Sequence, residues 1–111
     1  MAGGLALVRG EVFRLRAPRR ARGAEQRGAR YAVVVQADEL LALSTVLVAP
    51  TSRSAPPRSF RPAIELSGEQ ARVLVEQTTA IGTDRLGKSV GRLSAAEMQG
   101  VDEALAVVLG L

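Results

Sequence analysis

The groups in this chain that could act on a phosphate are arginines and hydroxyls. Arg30 closes a stretch in which Arg16, Arg19, Arg20, Arg22 and Arg27 precede it, and it stands directly before the apolar run YAVVVQ of residues 31–36. A guanidinium presents planar donors that can bind two phosphate oxygens in a fixed geometry. Side chains on rigid elements are aimed accurately enough for chemistry. Arg30 has such a mount, whereas Arg19, Arg20 and Arg22 offer diffuse attraction for anions. Taken alone, the stretch reads equally as a solvated surface loop, a disordered basic arm or a phosphate site.

Thr51, Ser52, Arg53 and Ser54 follow VLVAP and set hydroxyls beside a cation. The same residue types also suit an ordinary turn. Glu76 and Gln77 close the run RVLVEQ. In a strand, consecutive side chains point to opposite faces, so one of the two should face inward and need a partner. The GKS of residues 87–89 has Gly82 five positions before Gly87, but it lacks the strand, loop and helix order of a nucleotide-binding phosphate loop.

The chain has no cysteine and no histidine. That removes thiol nucleophiles, disulfide frameworks, most zinc sites and imidazole bases together. Chemistry here must run on arginine, lysine, carboxylates, hydroxyls and backbone, with no metal site and no cofactor expected.

The net charge of +4 is unevenly spread: Met1 to Arg61 holds 11 basic and 4 acidic residues, and Pro62 to Leu111 holds 4 basic and 7 acidic. The first part therefore attracts anions and the second does not. With 111 residues, one compact domain spanning 1–111 is expected. The opening MAGGLALV has no basic segment before a short apolar stretch, which fits neither a secretory leader nor a membrane span of about 20 residues. A cytoplasmic location is the expectation.

The elements that must carry these groups are mostly strands. GEVFRL (residues 10–15) alternates as a first strand, and the stretch from Arg16 to Ala29 reads as a long loop. Tyr31 to Gln36 and Ser44 to Ala49 are β-branched runs suited to strands buried on both faces. ADELLAL between them is either a hairpin loop or one helical turn. Pro50 is expected to end the second run, and TSRSAPPRSFRP to form another charged loop. Shorter strands are predicted at Ala63 to Leu66, Ala71 to Glu76 and Ser89 to Leu93, with TTAIGTDRLGK connecting the last two. The chain closes in a helix: Ser94 and Glu97 form a capping box, and Met98, Val101, Leu105 and Val108 recur on one face. Five or six strands followed by one helix predict a mainly β fold, a small strongly bent sheet or barrel closed on one side by the helix.

In this order, RGEVFRL, GAEQRGARYAVVVQAD, VLVAPTSRS, VLVEQTTAIGTDRLGKSVGRLS and the final VDEAL resemble the MazF/PemK family of toxin endoribonucleases from bacterial toxin–antitoxin systems. The resemblance covers most of the chain from Arg9 to Leu109. It implies a Src-homology-3-like barrel of the CcdB/PemK type, a homodimer, and a groove at or near the dimer interface for single-stranded RNA. It also implies metal-free cleavage of RNA, commonly mRNA, at short motifs, and a cognate MazE-like antitoxin that blocks the groove with an acidic, flexible segment. The family's arginine, in the motif EQ-x-G-x-R-P, falls on Arg30, with Glu25 and Gln26 ahead of it and Tyr31 in place of the usual proline. The family's hydroxyl, in the pattern V-x-P-L-T-S, falls on Ser52 by strict spacing and on Thr51 by residue identity. Glu76 and Gln77 match the family's EQ.

The implied reaction is attack of a ribose 2′-hydroxyl on the adjacent phosphate, leaving a 2′,3′-cyclic phosphate and a 5′-hydroxyl. With a pKa above about 12, arginine is a poor general base, so Arg30 is expected as electrostatic stabiliser or general acid. Ser52 or Thr51 would orient the 2′-oxygen or stabilise the phosphorane, and Glu25 or Glu76 are the candidate bases. Arg19, Arg20, Arg22, Arg27 and Arg53, with Glu25, Gln26, Glu76 and Gln77, are expected along the RNA path. Two rival readings stand beside this one: a barrel that binds nucleic acid without cleaving it, and a gyrase-directed toxin of the CcdB type.

Overall fold

The computed structural model describes residues 7–17 and 30–111. Among these, the strands are β1 (Glu11–Leu15), β2 (Tyr31–Val34), β3 (Thr45–Ser52), β4 (Ala63–Leu66), β5 (Glu69–Val73), β6 (Thr79–Gly82) and β7 (Leu86–Arg92), followed by the helix α1 (Ala95–Leu109). They form one antiparallel sheet in the order β4-β5-β3-β2-β1-β7, and β6 pairs with β3 as well. The expectation of a mainly β fold closed by a C-terminal helix is met.

The β-branched run after Arg30 is buried on both faces, as its composition requires. Val33 and Val35 join Val12, Ala49, Ile64, Val73 and the helix residues Val101 and Ala104 in one core. Ala32 and Val34 join Phe13, Val46, Val48 and Leu86 in a second, against which Ile81 also packs. Ile81 on β6 and Leu86 on β7 come from opposite sides of the β3-β2-β1 segment, so the sheet is curled around the second core. The helix covers the first. Val108, expected on the buried face of the helix, is exposed instead.

Pro50 does not end its strand: β3 continues through it to Ser52, so Thr51 and Ser52 are strand residues rather than the start of the loop. The reason lies in which edge the missing N–H faces. On that edge β3 pairs first with β6, from Thr45 to Val48, and then with β5 at Thr51 and Ser52. Pro50 falls in the gap, where its carbonyl still accepts the Leu74 amide at 2.8 Å.

The strand expected through Glu76 stops correspondingly at Val73, and Val75–Gln77 form a single 3-10 turn. The alternation argument for Glu76 and Gln77 therefore does not apply. TTAIGTDRLGK, expected as a connection, contributes β6, another 3-10 turn (Thr83–Arg85) and the start of β7. Its alternation is too short and too polar to read as strand. The open choice for ADELLAL resolves as a 3-10 turn at Asp38–Leu40 inside the β2–β3 hairpin.

β4 and β5 are joined by a tight turn at Ser67 and Gly68, both with positive φ (53° and 80°), the backbone that a two-residue hairpin turn demands. Glu97 fixes the helix against this hairpin. One of its carboxylate oxygens accepts the Ser94 amide at 2.9 Å, completing the capping box, and the other accepts the outward amide of Glu65 on the edge strand β4 at 2.8 Å.

Candidate functional site

Arg30 is exposed and lies immediately before β2, held by its backbone: its carbonyl accepts the Leu15 amide at 2.8 Å, extending the β1–β2 ladder by one pair. β2 and β3 pair as Ala32↔Pro50, Val33↔Ala49 and Val34↔Val48. Carried on, the same register sets Tyr31 opposite Thr51 and Arg30 opposite Ser52. Directly opposed residues of an antiparallel pair share a face, and neighbours along a strand do not. Thr51 and Ser52 therefore serve opposite sides of the sheet.

On the far edge of β3, Thr51 pairs with Val73 and Ser52 with Arg72. Val73 is fully buried in the helix-side core, and Tyr31 packs against the same cluster. Thr51 thus belongs with a core-facing row. Ser52 belongs to a row running from Arg30 through Ser52 to Arg72 and Ala63, whose members are half-buried or exposed. Of the two candidate hydroxyls, Ser52 shares a face with Arg30.

The hydroxyls are also bonded differently. Thr51 donates its proton to the Tyr31 carbonyl at 3.3 Å. The Ser52 oxygen accepts the amides of Ser54 at 3.2 Å and Ala55 at 3.0 Å, which folds the chain back as it leaves β3. A hydroxyl has one donor and two acceptor positions, so those two amides fill the acceptor side of Ser52 and leave its proton to donate.

The loop that follows is pinned by arginines. Arg61 gives two bonds to one Glu76 oxygen, from Nε at 2.9 Å and Nη2 at 2.6 Å, and a third from Nη1 to the Pro56 carbonyl at 3.2 Å. Its guanidinium also lies over the Phe60 ring, 5.7 Å from the centroid. The Arg61 guanidinium holds the Glu76 carboxyl below its ordinary pKa, outweighing the opposing effect of burial. Arg72 donates to the Arg61 carbonyl at 2.8 Å from Nη1. Arg53 forms an exposed ion pair with Glu69 at 3.1 Å, of the kind worth little in water. Gln77 is exposed at the end of the 3-10 turn.

Arg19, Arg20, Arg22, Glu25, Gln26 and Arg27 lie outside the described residues. Of the remaining sequence-derived residues, Arg30 and Ser52 fall on one face by the extended β2–β3 register, Thr51 backs onto the core, and Glu76 is tied to Arg61. Sequence reasoning missed Arg61 and Arg72. No local motif could have marked them, because both reach the site through pairings between segments distant in sequence. GKS belongs to β7, where Gly87 lets the β1 backbone approach: a Cβ there would lie 2.7 Å from the Arg14 carbonyl oxygen. Among the described residues, no three acidic side chains cluster so as to hold a metal ion. No helix among them is long and apolar enough to cross a membrane.

Residues 8–109 match the family model described as the PemK-like, MazF-like toxin of type II toxin–antitoxin systems. The chain belongs to this toxin family. The toxin is 42% identical over 106 residues to the "Putative toxin Rv3098A" of Mycobacterium tuberculosis, covering 95% of this chain and 99% of that one. In fold it is similar to an endoribonuclease solved with its cognate antitoxin from a mycobacterial species, at a TM-score of 0.79 and 23% identity over 96% of this chain and 97% of that one. It is similar also to the MazF of a MazE–MazF complex from Deinococcus radiodurans, at a TM-score of 0.75 and 16% identity over 97% and 99% of the two chains. These likenesses support the mainly β fold with a C-terminal helix, a small curled sheet of the MazF type.

Proposed function

We propose that this toxin is an endoribonuclease that cleaves single-stranded RNA, mRNA included, at short motifs and without a metal ion. The observation that carries the reading is the β2–β3 register, which when carried on sets Ser52 opposite Arg30 at the open end of the face that holds the second core. Membership in a toxin family, and structural relatives described as endoribonucleases, support it.

The 2′-oxygen attacks the adjacent phosphorus and loses its proton, the P–O5′ bond breaks, and the 5′-oxygen takes up a proton. The products are a 2′,3′-cyclic phosphate and a 5′-hydroxyl. Arg30 would hold the non-bridging oxygens as negative charge gathers on them, the role in which fixed donors contribute most. Ser52, with two amides on its oxygen and its proton left to donate, suits donation to the same oxygens. Thr51 is the weaker candidate because its proton goes to Tyr31. Glu76 is a poor base, since one of its oxygens takes two bonds from Arg61 and its pKa is held down. Glu25 is then the carboxylate left for that role. Gln77 and the basic residues Arg19, Arg20, Arg22, Arg27 and Arg53 would line the RNA path with Gln26.

A homodimer fits the apolar surface that one copy leaves open: Leu40, Leu43 and Leu47 are each more than two-fifths exposed, and Leu47 stands opposite exposed Ala80 in the β3–β6 ladder. A cognate antitoxin of the MazE type would cover the site with acidic residues, complementing the basic first half of the chain. The setting for such a pair is the cytoplasm.

The deciding experiment incubates the protein with end-labelled RNA in EDTA and maps the termini. Cyclic phosphate and 5′-hydroxyl ends that disappear with Arg30→Ala and with Ser52→Ala are expected. Tight binding without cleavage would favour the non-catalytic barrel, and inhibited supercoiling with intact RNA the gyrase-directed toxin.

A further inference from the structure

Arg72 stands on the other side of Ser52 from Arg30. It is the register partner of Ser52 on β5, and Ala63 on β4 is its own partner beyond. Adjacent strands lie about 4.8 Å apart, so the backbones of Arg30 and Arg72 stand about 10 Å apart on one face, with Ser52 between them and within reach of both long side chains.

The setting of Arg72 differs from that of the other arginines near the loop. Each of the three ion pairs among the described residues uses another arginine: Arg9 with Asp102, Arg53 with Glu69, and Arg61 with Glu76. Arg72 is half-buried and bonded through Nη1 to a neutral carbonyl. That bond ties one nitrogen of the guanidinium to a neutral group, and among the described residues Arg72 forms no ion pair. Two cations mounted on one sheet row, with a hydroxyl on the strand between them, suit an anion on which both side chains can converge. A phosphodiester has two non-bridging oxygens, one for each guanidinium.

We propose that Arg72 is a second phosphate-binding residue of this site, holding the same phosphodiester as Arg30 from the opposite side of Ser52. The inference rests on the endoribonuclease reading for its choice of RNA as the anion. In chemical terms, Arg30 and Arg72 would share the charge of the phosphorane, so neither arginine alone carries the reaction.

The test uses Arg72→Met, which keeps an apolar stem, and Arg72→Lys, which keeps the charge, both checked by thermal melting. Binding to a mixed-sequence 2′-O-methyl oligoribonucleotide, which cannot undergo 2′-attack, is measured across KCl concentrations. Losing one phosphate contact on a single strand lowers the slope of log K against log salt by about 0.7. Arg72→Met should show that reduction equally for unrelated sequences, Arg72→Lys should restore the slope, and single-turnover cleavage by Arg72→Met should fall on the order of 10²-fold. A residue that only supports the loop through the Arg61 carbonyl would leave the salt slope unchanged. A folded Arg72→Met with wild-type slope overturns the proposal while wild-type cleavage keeps the enzymatic reading intact. A lowered slope with no cleavage by the wild type supports the phosphate site and removes the endoribonuclease reading instead.

Discussion

Gln77 donates its amide to the Leu74 carbonyl at 2.9 Å, the group opposite which Pro50 has no N–H to offer. Leu74 donates to the Pro50 carbonyl in regular ladder fashion at 2.8 Å, and a residue with an amide at position 50 would complete the pair. Proline cannot. The unclaimed carbonyl is satisfied by closing the 3-10 turn Val75–Gln77, since a backbone acceptor with little access to water needs a partner within the protein. That turn carries Glu76 to Arg61, and Arg61 orders the loop leaving Ser52. A proline in one strand thus shapes the site through its neighbour.

Pro50→Ala should let the ladder compete with the turn. The expected change in stability is within about 1 kcal/mol, since one net hydrogen bond is gained as another weakens. The Gln77 amide should lose protection in hydrogen exchange, and RNA cleavage should drop. Unchanged protection of Gln77 would show that the turn owes nothing to the proline.

The Glu76–Arg61 pair gives a pH signature. Both side chains are mostly covered, at 26% and 18% exposure, so breaking the pair with Glu76→Gln should cost about 1–2 kcal/mol, discounted from the value for a fully buried pair. The folded-state pKa of Glu76 lies below its ordinary value of 4.5. Its contribution is therefore complete above that value and is lost as pH falls through the lower, folded pKa. The stability difference between wild type and Glu76→Gln in urea titrations should be constant near neutral pH and shrink below about pH 4. A gap that persists into acid would mean that the charge is not what matters.

The sequence is most legible where a local rule is strong. The capping box at Ser94 and Glu97, the buried run after Arg30 and the Ala63–Leu66 strand follow from patterns a few residues long, and all three occur in the structure. The failures share a cause. Pro50 was expected to stop β3 because its missing amide is a cost in mid-sheet, but that cost depends on what stands across from it, which no local pattern records. The same holds for the site. Arg30 is marked by its place before a buried strand, and spacing points to the hydroxyl of Ser52, but Arg72 and Arg61 enter only through cross-strand register. One of Glu76 and Gln77 is expected to need a partner, and Glu76 has one in Arg61, though from a 3-10 turn rather than from strand alternation.

Glu97 should be worth more than an ordinary capping residue. Its two oxygens serve the Ser94 amide and the Glu65 amide, joining the helix start to an edge strand. Glu97→Ala should cost about 1.5–3 kcal/mol, combining the capping-box bond with that of an exchangeable edge amide. At roughly 4 °C of melting temperature per kcal/mol, differential scanning calorimetry would read a shift near 6–12 °C. Ser94→Ala, which leaves the edge bond in place, should shift it by less. Equal shifts would leave the Glu65 contact without energetic weight.

Gly87 separates a packing role from a phosphate role for the GKS segment. A Cβ at Gly87 would stand 2.7 Å from the Arg14 carbonyl oxygen and 3.6 Å from Cγ of Arg16. The nearer contact is with backbone, which can move only by spreading β1 from β7. Gly87→Ala should therefore destabilise by about 1–3 kcal/mol, as overpacking does. The neighbouring Lys88 is exposed, and Lys88→Ala should change stability by less than about 0.5 kcal/mol. Neither substitution should alter nucleoside triphosphate binding, because β7 runs on as strand past Ser89 and opens no helix there. Calorimetry on both variants, with a triphosphate titration of the wild type, checks the pair. Measurable triphosphate affinity lost on replacing Lys88 would return GKS to the phosphate-loop class that its strand setting argues against.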